Sequence, residues 1–405
     1  MTAFFYRSHA HVILENFLVP YLFNGKVVDP TREFEVSSFY VDQFGTDEKP
    51  DMARPVAKQF GIPIYDSITE ALTLGGDSLA VDAVLLIGEH GTYPFNEKGQ
   101  ELYPKKRFFD EVVSVFQKNG RSVPVYSDKH LSHTWSEAEA MAATSKRLGF
   151  GLMAGSSVPL AQRIPPLEIP TGAKITEAVS IHGGPLERYG FHGLEVLQSV
   201  VGARKGGETG VESVQYLEGD SLWKASEAGL WSESLATEAM KAELGDDIPP
   251  LRESLTEPTL SETPPHGFLL NYRDGLRAIV LKIGSSDIRW NFACRIDGEP
   301  QSLATRFHVG PWHNRNLFKA LSHAIQSHFR ENRAPYPIER TLLVSGALEA
   351  TIDSKIAGGK PIETPHLDVA YQARDFRAFR EMGKTWEIIT EETEEPEGIE
   401  PVGIP

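Results

Sequence analysis

From its start to about residue 155 the chain alternates short apolar runs with amphipathic stretches, and this alternation limits the fold more than any other feature. Residues 34–41, 81–87, 123–126 and 151–154 are β-branched, aromatic or aliphatic enough for buried strands, and residues 2–6 offer a short first one. Helical patterns lie between them. One follows Ser8, one spans 51–60 and stops at Gly61, and one begins at Ser67 with capping-box spacing to Glu70. Two more span 105–118, before Asn119 and Gly120, and 136–148, before Gly149. Strands separated by helices of about 10–15 residues imply right-handed crossovers and a doubly wound parallel sheet, an α/β unit. Ligands of such sheets gather beyond the carboxyl ends of the strands, so the residues just after each strand are where chemistry is expected.

The second half reads differently. Residues 174–181, 211–217, 267–272, 276–283, 288–296 and 301–309 are strand candidates, Asp274 and Gly275 give a hairpin signal, and helices are expected only at 191–201 and 316–331. This predicts an α+β domain: an open antiparallel β-sheet with helices on one face. Residues 231–265 carry eight acids and two bases among Pro, Ser and Thr, and are expected to be a loop or insertion. From Glu387 onward there are seven glutamates and no basic residue, which predicts a disordered acidic tail over 387–405. The expected domains are 1–155, 156–368 and that tail.

Loop and tail together supply most of the net charge of −16, so the acidity describes these two segments rather than a binding pocket. With no basic surface in prospect, nucleic acid and anionic membrane are excluded as expected partners, whereas an anionic small ligand is not. The single cysteine, Cys294, excludes an intrachain disulfide and a multi-cysteine zinc site, and is expected to be a small core residue. No run approaches the ~18 apolar residues of a membrane span. The first residues lack a basic segment followed by a long apolar one, which predicts a cytoplasmic protein.

Several segments, in order, resemble the Gfo/Idh/MocA family of sugar and polyol oxidoreductases. Residues 57–72, with Phe60-Gly61 and then Asp66-Ser67, look like its second crossover, and 81–87 like its fourth strand. Ser127-Asp128-Lys129-His130 falls where the family carries Glu-Lys-Pro, and residues 190–195 are similar to the Gly-x-His-x-x-Asp segment that opens the main helix of its C-terminal domain. Residues 320–325, 335–339 and 358–363 resemble the closing segments, so the likeness covers about residues 1–368.

The resemblance implies an N-terminal Rossmann-like domain binding NAD(P) and a C-terminal sheet that covers the nicotinamide and mediates homo-oligomerisation. It assigns the catalytic roles to Lys129 and His192. Oxidising a secondary alcohol needs a base for the hydroxyl proton and a cation for the developing alkoxide, which a neutral imidazole and an ammonium can supply. Asp42, ending the second strand, is placed to bond the adenosine ribose, which favours NAD over NADP. Ser8, His9, Glu89, His90 and Asp128 complete the expected cofactor contacts, and His130, Arg188 and Tyr189 the expected contacts to a carbohydrate-like substrate.

The chain also departs from the family. No glycine precedes Gly25, so the Gly-x-Gly-x-x-Gly loop is absent where Arg7-Ser8-His9-Ala10-His11 stands. Arg7 and the start of the helix after Ser8 are the groups left to meet a pyrophosphate. His130 replaces the proline after the lysine, Glu89-His90-Gly91 replaces the usual element after the fourth strand, and Arg188 stands four before His192, where an Asp is common.

These changes collect His9, His11, His90, His130 and His133 at strand ends, with Glu89 and Asp128 alongside. Two alternatives to a dehydrogenase therefore stay open. One is a metal-dependent carbohydrate hydrolase or lyase using Zn or Mn, although no ligand set is assigned from spacing; the other is a non-catalytic ligand-binding relative.

Overall fold

The computed structural model describes residues 1–254, 264–284, 286, 289–310, 312, 314–388, 392–395 and 398–400. The N-terminal half contains α1 (His9–Leu18), β1 (Phe39–Tyr40), α2 (Ala53–Phe60), β2 (Ile64–Tyr65), α3 (Ile68–Thr73), β3 (Val84–Leu86), α4 (Lys105–Asn119), β4 (Val125–Asp128), α5 (Trp135–Leu148) and β5 (Leu152–Gly155). β1 runs parallel to β2, and β3, β4 and β5 run parallel in that order. The first residues, too briefly paired to count as a regular strand, lie between the two groups. The Thr2 N–H donates to the Ile87 carbonyl at 3.0 Å, and the N–H groups of Asp42 and Gln43 donate to Met1 and Thr2 at 3.0 and 2.8 Å. The order β2, β1, residues 1–4, β3, β4, β5 is that of a Rossmann-type sheet.

Local chemistry sets the elements as the sequence suggests. The hydroxyls of Ser8, Ser67 and Thr134 cap α1, α3 and α5, and Gly61, Gly120 and Gly149 end α2, α4 and α5 in the left-handed conformation. Residues 34–38, expected in the second strand, have no regular strand pairing; only Phe39 and Tyr40 do. A cavity of about 660 Å³ lies there, lined by Phe39, Leu72, Val84, Leu86 and Phe108. It sits toward the amino ends of the strands, away from the titratable groups described below.

The second half builds one eight-stranded sheet from β6 (Gln162–Ile164), β7 (Ile175–His182), β8 (Val211–Glu218), β9 (His266–Tyr272), β10 (Arg277–Lys282), β11 (Trp290–Ile296), β12 (Leu303–His308) and β13 (Ile362–Glu363). The order is β13-β8-β9-β10-β7-β11-β12-β6. It is antiparallel except between β10 and β7, which makes it mixed where a fully antiparallel sheet is predicted. The antiparallel pairing of β8 with β9 and the hairpin β9–β10 fix the direction of β10, and its free edge then meets β7 pointing the same way.

Helix α6 (Phe191–Val201) packs on one face, between the sheet and the helix Ile338–Ile356. The opposite face is covered too. The helix Glu233–Leu244, within the segment expected to be a loop, buries Leu235, Ala236, Ala239 and Met240 on Val179, Ile181, Ile279 and Ala293. Its apolar stripe is real but short, and the surrounding polar composition hides it. Residues 255–263 of that expected loop lie outside the described residues.

The expected disordered tail is corrected where it is described. Ile399 is fully buried, and Glu395 pairs with Arg7 at 2.6 Å and with Arg315 at 3.0 Å. Arg315 also grips Glu15 of α1 at 2.7 Å, so two basic residues offset the acidic composition and dock this segment. Cys294 is buried on β11, and burial pushes its thiol up to about 12, in keeping with a core residue.

The approach of α6 to the sheet is close at Gly193. A Cβ there would stand 2.7 Å from Val280 Cγ1 and 3.1 Å from His182, both buried. Gly193→Ala is therefore expected to cost about 2 kcal/mol by overpacking. Urea unfolding should show a lower midpoint with unchanged slope, and an unchanged midpoint would show that the two elements can separate freely.

Candidate active site

The carboxyl ends of residues 1–5, β3 and β4 bring together the groups that follow them. Glu89, just after β3, is buried. Its Oε1 lies 2.9 Å from the Lys129 ammonium and its Oε2 3.5 Å from that of Lys105, which also donates to the Lys129 carbonyl. Burial alone would raise the Glu89 carboxyl, but the two ammonium groups outweigh it and hold it well below the usual range. Burial conversely lowers Lys105.

Asp128, ending β4, accepts from His9 Nδ1 at 2.6 Å. Burial opposes the ionised form of Asp128, and His9 restores it. His90 has φ 71° and an Nε2 without a hydrogen-bond partner, and it packs between Phe5 and His9 at 5.2 and 4.9 Å. Burial, then the charge of His9, pushes it down to about 3.

The C-terminal domain contributes the start of α6. His192 Nδ1 lies 2.5 Å from Ser156 Oγ, just after β5, and the ring sits 5.1 Å from Trp290. Burial and then Lys129 hold the imidazole neutral, with pKa well below its ordinary value. Tyr189 stacks on Trp290 at 5.4 Å and meets His192 at 6.2 Å, forming an aromatic wall. Arg188 turns away to Glu101 at 2.8 Å. His130 points its Nδ1 at the Ser132 carbonyl, 3.0 Å away, and lies against Phe191.

The structure thus gathers Lys129, His192, Glu89, His90, Asp128 and His9, and leaves Asp42, Ser8 and Arg188 committed elsewhere. Both Asp42 oxygens are taken: Tyr40 and Tyr93 hydroxyls donate at 2.7 Å and Arg107 at 2.6 Å. Gln43 closes the same strap by exchanging two hydrogen bonds with the Thr92 backbone, at 2.8 and 2.9 Å. The Ser8 hydroxyl accepts from the N–H groups of Phe5 and His11, and Arg7, at φ 62°, sends its guanidinium to Trp312 O and Glu395.

Lys105, Tyr93, Arg107 and Ser156 were not legible as site residues. Lys105 alone carried a signal, because a lysine opening a helix opposes the helix dipole and needs a local reason.

These residues bear on the dinucleotide that this type of sheet accommodates. The inner end, walled by Glu89, His90, Asp128 and Lys129 with an orphaned His90 nitrogen, offers polar groups to a ligand. The outer end does not fit: Asp42, the acid expected to bind ribose, is saturated, Tyr93 occupies its approach, and the turn expected to meet a pyrophosphate holds Arg7 instead of glycine. Because Arg107 neutralises Asp42, that acid no longer distinguishes NAD from NADP.

No protein-family model and no curated protein matches the chain. Among solved structures, GenD2 from gentamicin A biosynthesis, in complex with NAD, aligns over 83% of this chain and 90% of its own at 12% identity, with TM-score 0.52. A probable dehydrogenase from Thermotoga maritima covers 82% and 92% at 11% identity and TM-score 0.49. The aldose-aldose oxidoreductase from Caulobacter crescentus, complexed with glycerol, covers 81% and 91% at 15% identity and TM-score 0.46. Only the first carries an argument, and it is one of fold: the chain shares the two-domain fold of GenD2, a Rossmann-type domain followed by a sheet domain.

Proposed function

We propose that the chain is an oxidoreductase acting on a secondary hydroxyl or keto group of a sugar- or polyol-like small molecule. The observation that supports it is the buried Lys129–Glu89–Lys105 group facing His192 across the two domains of this fold. Lys129, paired with Glu89 at 2.9 Å, holds the oxygen on which negative charge develops. His192, neutral and oriented by Ser156, accepts or returns the hydroxyl proton at Nε2 when Nδ1–H faces Ser156. The His9–Asp128 pair fixes the polar floor beside them, and Tyr189 and Trp290 offer an apolar face for a sugar ring. Hydride exchange in such chemistry belongs to a nicotinamide dinucleotide, whose outer half would meet the strap that Tyr93, Arg107 and Gln43 close over Asp42.

That strap makes a measurable demand. Wild-type protein is expected to bind NAD(H) or NADP(H) weakly, and Tyr93→Ala, which frees Asp42 Oδ2 and its approach, to bind about tenfold more tightly. Fluorescence titration of both proteins reads this. A second reading, a non-redox hydrolase or lyase on the same scaffold, is favoured by the saturated Asp42; it gains if neither protein binds a dinucleotide at millimolar concentration.

A further inference from the structure

Beside the Lys129 group lies a second cluster that the chemistry above does not use. His130 and His133 follow β4, and Glu187 stands in the turn Leu186–Gly190 that leads into α6. One ligand atom from each lies within 4.8 Å of the others. The ring arrangement is specific. His130 Nδ1 is committed to the Ser132 carbonyl at 3.0 Å, and His133 donates to the Glu101 backbone. His133 Nε2 is left buried, without a hydrogen-bond partner, in a side chain that is 7% exposed. An imidazole whose other nitrogen is held by a backbone carbonyl presents a fixed lone pair, the arrangement found in metal-bound histidines.

A cleft of about 570 Å³, lined by Gln100, Pro185, Leu186 and Arg188 among others, borders Glu187, one member of the cluster.

We propose that His130, His133 and Glu187 form a binding site for one divalent transition-metal ion of the zinc class, with a fourth position open to water or substrate. Two imidazoles and a carboxylate are the donor set of an open tetrahedral zinc site, with ligand distances of ~2.0–2.2 Å. The ion would tie the β4 loop to the turn before α6 and so link the two domains. The inference stands apart from the oxidoreductase reading, because its readout is metal binding and not turnover.

The test uses the full chain, untagged and stripped with chelator, titrated with Co²⁺ alone. The expected result is visible d–d absorption saturating at one equivalent, a rise in thermal midpoint with metal, and at least tenfold weaker binding in His133→Gln and Glu187→Gln. His323→Gln, on the far helix Asn314–Glu331, should bind as wild type does. Absence of saturable absorption in folded wild-type protein, or unchanged binding in His133→Gln, would overturn the site. If the variants do not fold, the wild-type stoichiometry and metal-dependent midpoint decide alone.

Discussion

Replacing Glu89 with glutamine is expected to destabilise the protein by about 3–5 kcal/mol, the range for removing one partner of a buried charge group. Glu89 is the shared counter-charge of two buried ammonium groups, Lys129 and Lys105, whose side chains are 7% and 2% exposed. Glutamine keeps the shape and removes the charge, leaving two cations facing each other in the interior. The pH dependence separates this from a packing defect. The Glu89 carboxyl sits below its usual 4.5 in the folded state, so its contribution is present above that pH and lost as pH falls through the folded value. Lys105 is lowered from 10.5, so the folded state sheds its proton earlier and stability rises with pH toward 10.5. Without Glu89, Lys105 is lowered further, and the variant should recover part of its lost stability between neutral pH and about pH 10. Denaturant titrations at several pH values read both effects. A loss below 1 kcal/mol, with no recovery at high pH, would mean that the charge group is not buried as described.

The second large effect concerns chemistry. Lys129→Met keeps the length of the side chain and leaves Glu89 paired with Lys105, so the fold should survive with a modest change in midpoint. Turnover should fall by roughly 10²–10⁴-fold, the range for loss of a positioned proton or charge-stabilising group. His192→Asn should fall by a similar factor, and its loss should also flatten the acid limb of the pH–rate profile, because the base would no longer titrate. The two effects should not multiply in the double variant, since both groups act on the same oxygen.

The amino-acid sequence made the scaffold readable because its signals are local. Caps at Ser8, Ser67 and Thr134 and stops at Gly61, Gly120 and Gly149 each lie within one turn of the element they bound, and the strand-helix rhythm then dictates a parallel sheet. Glu89, Asp128 and His9 were legible because the topology brings the ends of neighbouring strands together, whereas Lys129 and His192 came from the resemblance of their segments to the Gfo/Idh/MocA family. The partners of Asp42 were not legible. Tyr93 and Arg107 lie 51 and 65 positions away, and nothing near them marks that they turn back over the second strand. The covering helix Glu233–Leu244 was lost for another reason: its four buried residues are diluted by acids that face solvent. The docked segment around Ile399 shows the same limit, because its glutamates read as a solvated run until Arg7 and Arg315 are placed opposite them.

Arg107 and Tyr93 also explain why fold and cofactor can be argued separately. The sheet order and the second domain follow from backbone pairing, which the chain shares with its structural neighbours. Dinucleotide binding depends on a turn and an acid, and here Arg7 and the saturated Asp42 occupy both places. The central claim is that Lys129 and His192 carry out proton chemistry on a hydroxyl or keto oxygen in an oxidoreductase. Its most direct test is nicotinamide absorbance in wild-type protein, Tyr93→Ala and Lys129→Met, each supplied with NAD(H) or NADP(H) and a panel of sugars and polyols. The account predicts turnover of at least one compound by wild type, equal or faster turnover by Tyr93→Ala, and at least a hundredfold loss in Lys129→Met. Turnover that survives in Lys129→Met, or no nicotinamide oxidation or reduction by folded wild type and Tyr93→Ala with any compound, would contradict it.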